Sequence, residues 1–326
     1  MKFLDLKYDA FGIDINDSSV KIIKLEKSQG KFVIASFGRQ DLNSGIVESG
    51  VINNEKELAK SIRMACSNVK GKKLKTKYAV ISLPEEESFL QVIQMPKMSR
   101  GELKSAVFFE AENYIPLPID QVYLDFQIIT PLKDSLDHLD VLVAATPKKV
   151  VDSYVLCAQS AGLTPICAEV ESLAIARALV KNETSENPVV LIDIGKNNIG
   201  FMVFSGCSMR FTYSIPISPE KFTSEKVLKE LSEQIKKYIN FYQEHACHEH
   251  LLSNGEIKSI LLTGGGANYK NLTNFITKET GIQTEIGNVL VNLPNFKNVN
   301  SEINLPSFAC AIGLALGGIN IEKDNL

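Results

Sequence analysis

One arrangement of residues, met near position 11 and again near position 189, restricts what this chain can fold into more than its composition does. Phe11-Gly12-Ile13-Asp14-Ile15 alternates as a strand, Asn16-Asp17-Ser18-Ser19 makes a tight polar turn, and Val20 to Leu25 alternates back. A strand at Lys31 to Phe37 follows, then a helix over Glu55 to Val69 with Leu58, Ile62, Ala65 and Cys66 at helical spacing. The apolar run Tyr78 to Leu83, ended by Pro84, closes the set. The second occurrence comprises Val189 to Gly195, the turn Lys196-Asn197-Asn198, strands Ile199 to Phe204 and Ser208 to Ser214, the helix Thr223 to Glu244 and the strand Ile257 to Leu262. A unit used twice predicts an α/β fold of two similar lobes facing each other.

Residues 86–165 have a different character. Ser88 to Met95 reads as a strand, Arg100 to Tyr114 as a helix ended by Ile115-Pro116-Leu117-Pro118, Gln121 to Thr130 and Asp140 to Ala145 as strands, and Pro147 to Ala161 as a helix closed by Gly162. That order suits a small sheet covered on one face by two helices, inserted into the first lobe. The expected division is lobe 1 at 1–85, the inserted subdomain at 86–165, and residues 166–326 as a connecting helix, lobe 2 and a terminal helix returning to lobe 1. Leu103, Ala106, Val107, Phe109 and Ala111 form the apolar set of the inserted helix. Together with Ile115, Pro116, Leu117 and Pro118 they read as an apolar groove for an extended peptide.

An aspartate that ends a strand ahead of a turn rich in hydroxyls, amides or glycine can hold Mg²⁺ through water while turn donors surround a phosphate. Asp14 with Ser18, Ser19 and Lys21 has that pattern, and Asp193 with Gly195, Asn197 and Asn198 repeats it. Gly264-Gly265-Gly266, at the end of the strand Leu261-Leu262-Thr263, lets backbone approach a ligand ahead of a helix expected near Asn268. Glu171 stands just before a small-residue helix, placed either to orient water at a phosphate or simply to favour the helix dipole.

The net charge of -3, with Lys and Arg interspersed among Asp and Glu, supplies no basic field for nucleic acid. Met1 to Asp9 carries Lys2, Asp5, Lys7 and Asp9 with no apolar core, and Leu305 to Asn320 is too short and glycine-broken to span a bilayer, so a cytoplasmic chain with a buried terminal helix is expected. The scattered cysteines carry no paired spacing and read as reduced thiols. His245, His248 and His250 lie around a helix end, where imidazoles suit the dipole better than they define a metal site. No catalytic triad or helix-borne zinc-hydrolase pattern is present, so a hydrolase that turns over a separate substrate has nothing to point to.

In this order the elements resemble the phosphate-1, connecting, phosphate-2 and adenosine segments of the actin/Hsp70/hexokinase superfamily. More closely, FGIDINDSSVKIIKLE, the segment from VISLPEEESFLQVIQMP to ENYIPLPIDQVYLDFQII, VLVAATPKKVVDSYVLCAQSAGLTPICAEVESLAIARAL and LLTGGGANYKNL are similar to segments of the PilM family of type IV pilus proteins, over most of residues 10–315. The resemblance implies a duplicated actin-like, ribonuclease H-like fold with an FtsA-type 1C subdomain, and ATP with Mg²⁺ in the cleft between lobes. It makes Asp14, Ser18, Ser19 and Lys21 the first phosphate and metal site, Asp193 and Gly195 the second, Gly264 to Gly266 the nucleoside loop and Glu171 the cleft glutamate. It also implies the N-terminal cytoplasmic peptide of a PilN-like bitopic inner-membrane protein as partner, PilO and motor ATPases as indirect ones, and it admits self-association.

Three departures accompany it. Asn16-Asp17 stands where the family usually shows Gly-Ser, Lys196 and Ile199 replace small and hydroxyl residues in the second turn, and Ile215 runs almost directly into the next helix, curtailing subdomain 2B and its adenosine clamp. The expected function is a cytoplasmic actin-like scaffold of pilus assembly, held at the inner membrane through its partner, with ATP as a conformational ligand. The alternatives are an FtsA-like division protein, though the chain's end lacks a basic amphipathic helix, and a sugar or metabolite kinase, which needs a catalytic aspartate that no motif supplies.

Overall fold

The computed structural model describes residues 7–28, 31–132, 136–217, 222, 224–245, 251, 255–293, 303–319 and 321. In chain order, β1 (Phe11–Asn16), β2 (Ser19–Ser28) and β3 (Lys31–Asp41) are followed by the short pair β4 (Val47–Glu48) and β5 (Val51–Ile52), then α1 (Glu55–Ser67), β6 (Lys70–Gly71) and β7 (Tyr78–Leu83). Next come β8 (Phe89–Pro96), α2 (Arg100–Ala111), β9 (Val122–Ile128), β10 (His138–Pro147), α3 (Lys148–Ser160), β11 (Thr164–Val170) and α4 (Glu171–Leu179). The remainder is β12 (Ser185–Ile194), β13 (Ile199–Gly206), β14 (Ser208–Ile215), α5 (Glu225–His245), β15 (Ser259–Thr263), α6 (Leu272–Thr280), β16 (Gln283–Ile286) and α7 (Ala309–Gly318). Two compact units result, one of residues 1–87, 149–179 and 288–326, the other of residues 88–148 and 180–287.

The first unit is built on a sheet of order β11-β7-β1-β2-β3-β6. β1 to β3 pair antiparallel, while β7 and β11 run parallel to β1. Because successive side chains alternate across a strand, Phe11, Ile13 and Ile15 face one way and Gly12, Asp14 and Asn16 the other. The first set joins Leu58 and Ile62 of α1 and Tyr154, Cys157 and Ala158 of α3 in one buried cluster. On the opposite face α7 lies so close that a Cβ on Gly12 would stand 2.6 Å from the Ala315 nitrogen, so only glycine admits the helix there.

The second unit holds a sheet of order β14-β13-β12-β15-β16. Here too three antiparallel strands are joined to two parallel ones, β15 and β16 running with β12. Its pairing is that of β3-β2-β1-β7-β11, and the duplication expected from the sequence is thus present in the topology. Leu231, Ile235 and Ile239 of α5 and Leu272 and Ile276 of α6 cover its apolar core. β14 ends at Ile215 and α5 begins at Glu225, which leaves a short connection.

The same correspondence corrects the expected inserted block. α6 is the crossover between parallel neighbours β15 and β16, and α3 holds the matching position between β7 and β11. A parallel pair needs such a crossover, so α3 and β11 are elements of the first unit rather than the second cover of a separate small sheet. The inserted part is the antiparallel sheet β8-β10-β9 with α2 alone upon it. Within the second unit it is tied to the larger sheet by Arg210 of β14, whose Nη1 lies 2.7 Å from the buried Asp140 Oδ2 of β10. Among the described residues no helix is long and apolar enough to cross a membrane.

Candidate functional site

In the first unit β1, β7 and β11 run parallel and end at one edge, and the hairpin turn Asp17-Ser18 projects from it. The two-residue turn sets Asn16 opposite Ser19 and, two positions back, Asp14 opposite Lys21. Lys21 Nζ lies 2.7 Å from Asp14 Oδ2 with both side chains buried. Two unlike charges removed from water hold each other, so Lys21 is Asp14's counter-ion first and a ligand donor only if that pair opens.

The turn itself closes on Asn16. Its Oδ1 accepts the N–H groups of Ser18 and Ser19, each at 3.1 Å, and the hydroxyls of Ser18 at 3.1 Å and Ser19 at 3.4 Å. Its Nδ2 donates to Asp14 Oδ2 at 3.4 Å. The Asp17 carboxylate points the other way and accepts the N–H groups of Ser49 at 2.9 Å and Gly50 at 3.1 Å. Ser49 and Gly50 both sit at positive φ, and Tyr154 of α3 donates its hydroxyl to the Gly50 carbonyl at 2.9 Å. Burial raises the Tyr154 phenol, and the negative charges of Glu171, Asp17, Glu86 and Asp14 push the same way.

In the second unit Asp193 stands near the end of β12, opposite Gly200 of β13 and level with Thr263 of β15. A Cβ on Gly264 would lie 2.5 Å from Asp193 Oδ1 and from the Ile194 carbonyl, and φ there is +89°. Gly264 is required by this approach, with or without a ligand. The neighbouring donors turn inward: Gly195 N–H donates to the Asn198 carbonyl at 3.1 Å and Gly266 N–H to the Ile194 carbonyl at 3.0 Å. Asn197 and Gly265 are exposed at the loop surface. The expected helix near Asn268 begins instead at Leu272, after Asn271 in left-handed backbone, so the glycine run leads through turns and not straight into a helix N-terminus.

These positions hold Asp14 and Asp193 at matching places but leave the donor set short for a phosphate. In the first turn the N–H groups and hydroxyls that would take an anion are bonded to Asn16, and in the second Gly195 and Gly266 spend theirs within the loop. The residues as arranged do not fit a nucleotide phosphate at the first turn.

The inserted block differs from its expected groove. Leu103, Val107, Ala111 and Ile115 are buried in the block's own core with Ile93, Val141 and Val143, because α2 lays this face on its sheet. The large apolar residues left outward are Phe109 at 74% exposure, Tyr114 at 46% and Leu117 at 40%, with Pro116 and Pro118 exposed beside them, and Tyr123 on β9. Ser99 caps α2 through a reciprocal pair with Glu102. Of the histidine run, residues 246–250 lie outside the described residues, and His245 Nδ1 lies 2.9 Å from the Phe241 carbonyl with its ring stacked on Phe241. Sequence reasoning missed Tyr154, Gly50 and Gly200, which no motif marks.

A five-strand mixed sheet used twice, with an aspartate at the same place on each first hairpin, defines an actin-like ATPase-fold protein. The chain belongs to the family of the type IV pilus assembly protein PilM, whose model matches residues 12–225 and 219–319. A chain of the solved PilM-PilN type IV pilus biogenesis complex is 23% identical, with 97% of this chain and 100% of that chain covered and a TM-score of 0.81. The ethanolamine utilization protein EutJ from Carboxydothermus hydrogenoformans superposes at a TM-score of 0.54 with 12% identity, over 94% of this chain and 88% of that one. MreB 5 of Spiroplasma citri bound to AMPPNP gives 0.51 with 12% identity, over 94% and 95%.

Proposed function

We propose that this actin-like pilus assembly protein is a cytoplasmic scaffold that binds the N-terminal peptide of a PilN-like bitopic inner-membrane protein and links it, with PilO and the motor ATPases further along, to the pilus motor. The observation that carries this reading is the outward apolar set Phe109, Tyr114 and Leu117 on the inserted block, beside Pro116 and Pro118. Exposed aromatic and aliphatic side chains next to prolines, which cannot continue a helix, suit an extended peptide that orders on docking. The solved PilM-PilN type IV pilus biogenesis complex, one chain of which this chain resembles, supports the choice of partner. Membrane attachment, in this reading, is through the partner alone. ATP with Mg²⁺ is at most a weak ligand in this reading, and Glu171 has no reaction to serve.

The test is binding of a labelled N-terminal tail peptide from the PilN-like protein of the same organism, followed by fluorescence anisotropy. The expected dissociation constant is micromolar or lower. Phe109→Glu or Leu117→Glu should weaken it by about tenfold or more while the melting temperature holds, since each side chain is already in water. Folded wild-type protein that ignores the tail would end this reading.

A further inference from the structure

We propose that Asn16 is an internal substitute for a phosphate group: its side-chain amide occupies the donor set of the first turn and keeps that turn closed to nucleotide. The geometry is specific. A phosphate oxygen seated in such a turn accepts backbone N–H groups and hydroxyls, and here the N–H groups of Ser18 and Ser19 and both hydroxyls already converge on Asn16 Oδ1 at 3.1–3.4 Å. The amide cannot be turned round, because Nδ2 donates to Asp14 Oδ2, and the flipped group would aim its own N–H bonds at donors.

The surroundings hold this arrangement in place. Asp17 clamps the turn to the N–H groups of Ser49 and Gly50, whose left-handed backbone gives the clamp one fixed geometry. Lys21, the one cation among the residues expected to bind phosphate, is bound to Asp14. An incoming phosphate must therefore displace the amide and leave it unpaired.

The experiment compares the full-length wild-type protein with Asn16→Gly for binding of Mg·ATP, read with a fluorescent ATP analogue and by calorimetry. Removing the amide frees the Ser18 and Ser19 donors, so the variant should bind about tenfold tighter or more, and adding Ser18→Ala and Ser19→Ala should cancel the gain. An Asn16→Gly protein that is folded and binds no more tightly than wild type overturns the proposal. Should the variant fail to fold, serine-selective ¹⁵N labelling of the wild type decides. Ser18 and Ser19 amide resonances unchanged under saturating Mg·ATP support the closed turn, and resonances that shift refute it. Neither arm involves the tail peptide, so the outcome is separable from that of the scaffold reading.

Discussion

Lys21 Nζ rests 2.7 Å from Asp14 Oδ2, directly across the first hairpin, with both side chains buried. Truncating one member of such a pair strands a charge away from water. Lys21→Met should cost about 3–5 kcal/mol, more than an ordinary surface lysine, and pairing it with Asp14→Asn should recover part of the loss. Urea unfolding of the single and double variants measures this. A loss within error of zero for Lys21→Met would mean that the pair is open in solution and available to a ligand.

Tyr154 predicts a pH signature. Its folded-state pKa lies above the ordinary value of about 10, burial being the main cause, so the neutral phenol is favoured by folding. The stability from that preference is complete below about pH 10 and is lost as pH rises above it, because the unfolded chain ionises first. Tyr154→Phe gives up the bond to the Gly50 carbonyl, about 1–2 kcal/mol at pH 7, yet has no proton to lose. The difference in unfolding free energy between wild type and variant should therefore shrink from pH 9 to pH 11. A constant difference would show the tyrosine to be accessible to water.

Burial pushes the thiols of Cys66 and Cys157 up to about 11, whereas Cys167 is exposed on β11. The thiolate is the attacking species, so at pH 8 only about one in a thousand of the buried thiols is reactive. Peptide mapping after brief alkylation should find Cys167 labelled well before Cys66 or Cys157. Equal labelling of all three would place α1 and α3 differently from the packing described.

Gly264 separates two readings of the glycine run. With φ at +89° and Asp193 Oδ1 and the Ile194 carbonyl in the space of a Cβ, Gly264→Ala should destabilise the second unit by about 1–3 kcal/mol in the absence of any nucleotide. Gly265→Ala, with open space at its Cβ position, should be nearly neutral. If Gly265→Ala proves the costlier of the two in thermal melts, the loop is built differently.

What was legible in the sequence was local or repeated. The aspartates of both hairpins and the glycine run stand out because a turn is specified by neighbours within a few residues, and the duplication is visible because it is written twice. The Asp14–Lys21 pairing could have been taken from the same source, since a two-residue turn between Asn16 and Ser19 sets Lys21 opposite Asp14. Tyr154 could not, because its partner Gly50 is over a hundred positions away and a tyrosine in a helix carries no mark of what it will touch. The apolar stripe of α2 was misleading for a different reason. Leu103 and Val107 at helical spacing describe a face that will be covered, and the spacing is the same whether the cover is the block's own sheet or another protein.

That difference decides where the inserted block can be cut out. Removing residues 86–165, as the sequence alone advises, would take Tyr154, Cys157 and Ala158 from the first unit's core and β11 from its sheet. Large buried side chains cost about 2–5 kcal/mol each when lost, so this deletion should yield no folded protein. Residues 88–147 are a different matter. Ser88 Oγ and Thr146 Oγ1 stand 2.9 Å apart and Phe89 pairs with Ala145, so a short Gly-Ser linker can rejoin the chain without strain. The cost falls on Arg210, buried and deprived of Asp140, and an added Arg210→Met removes that charge. The shortened protein with Arg210→Met should melt cooperatively and fail to bind the tail peptide. If it folds and still binds the peptide with wild-type affinity, the binding surface lies elsewhere on the molecule and Phe109, Tyr114 and Leu117 have some other use.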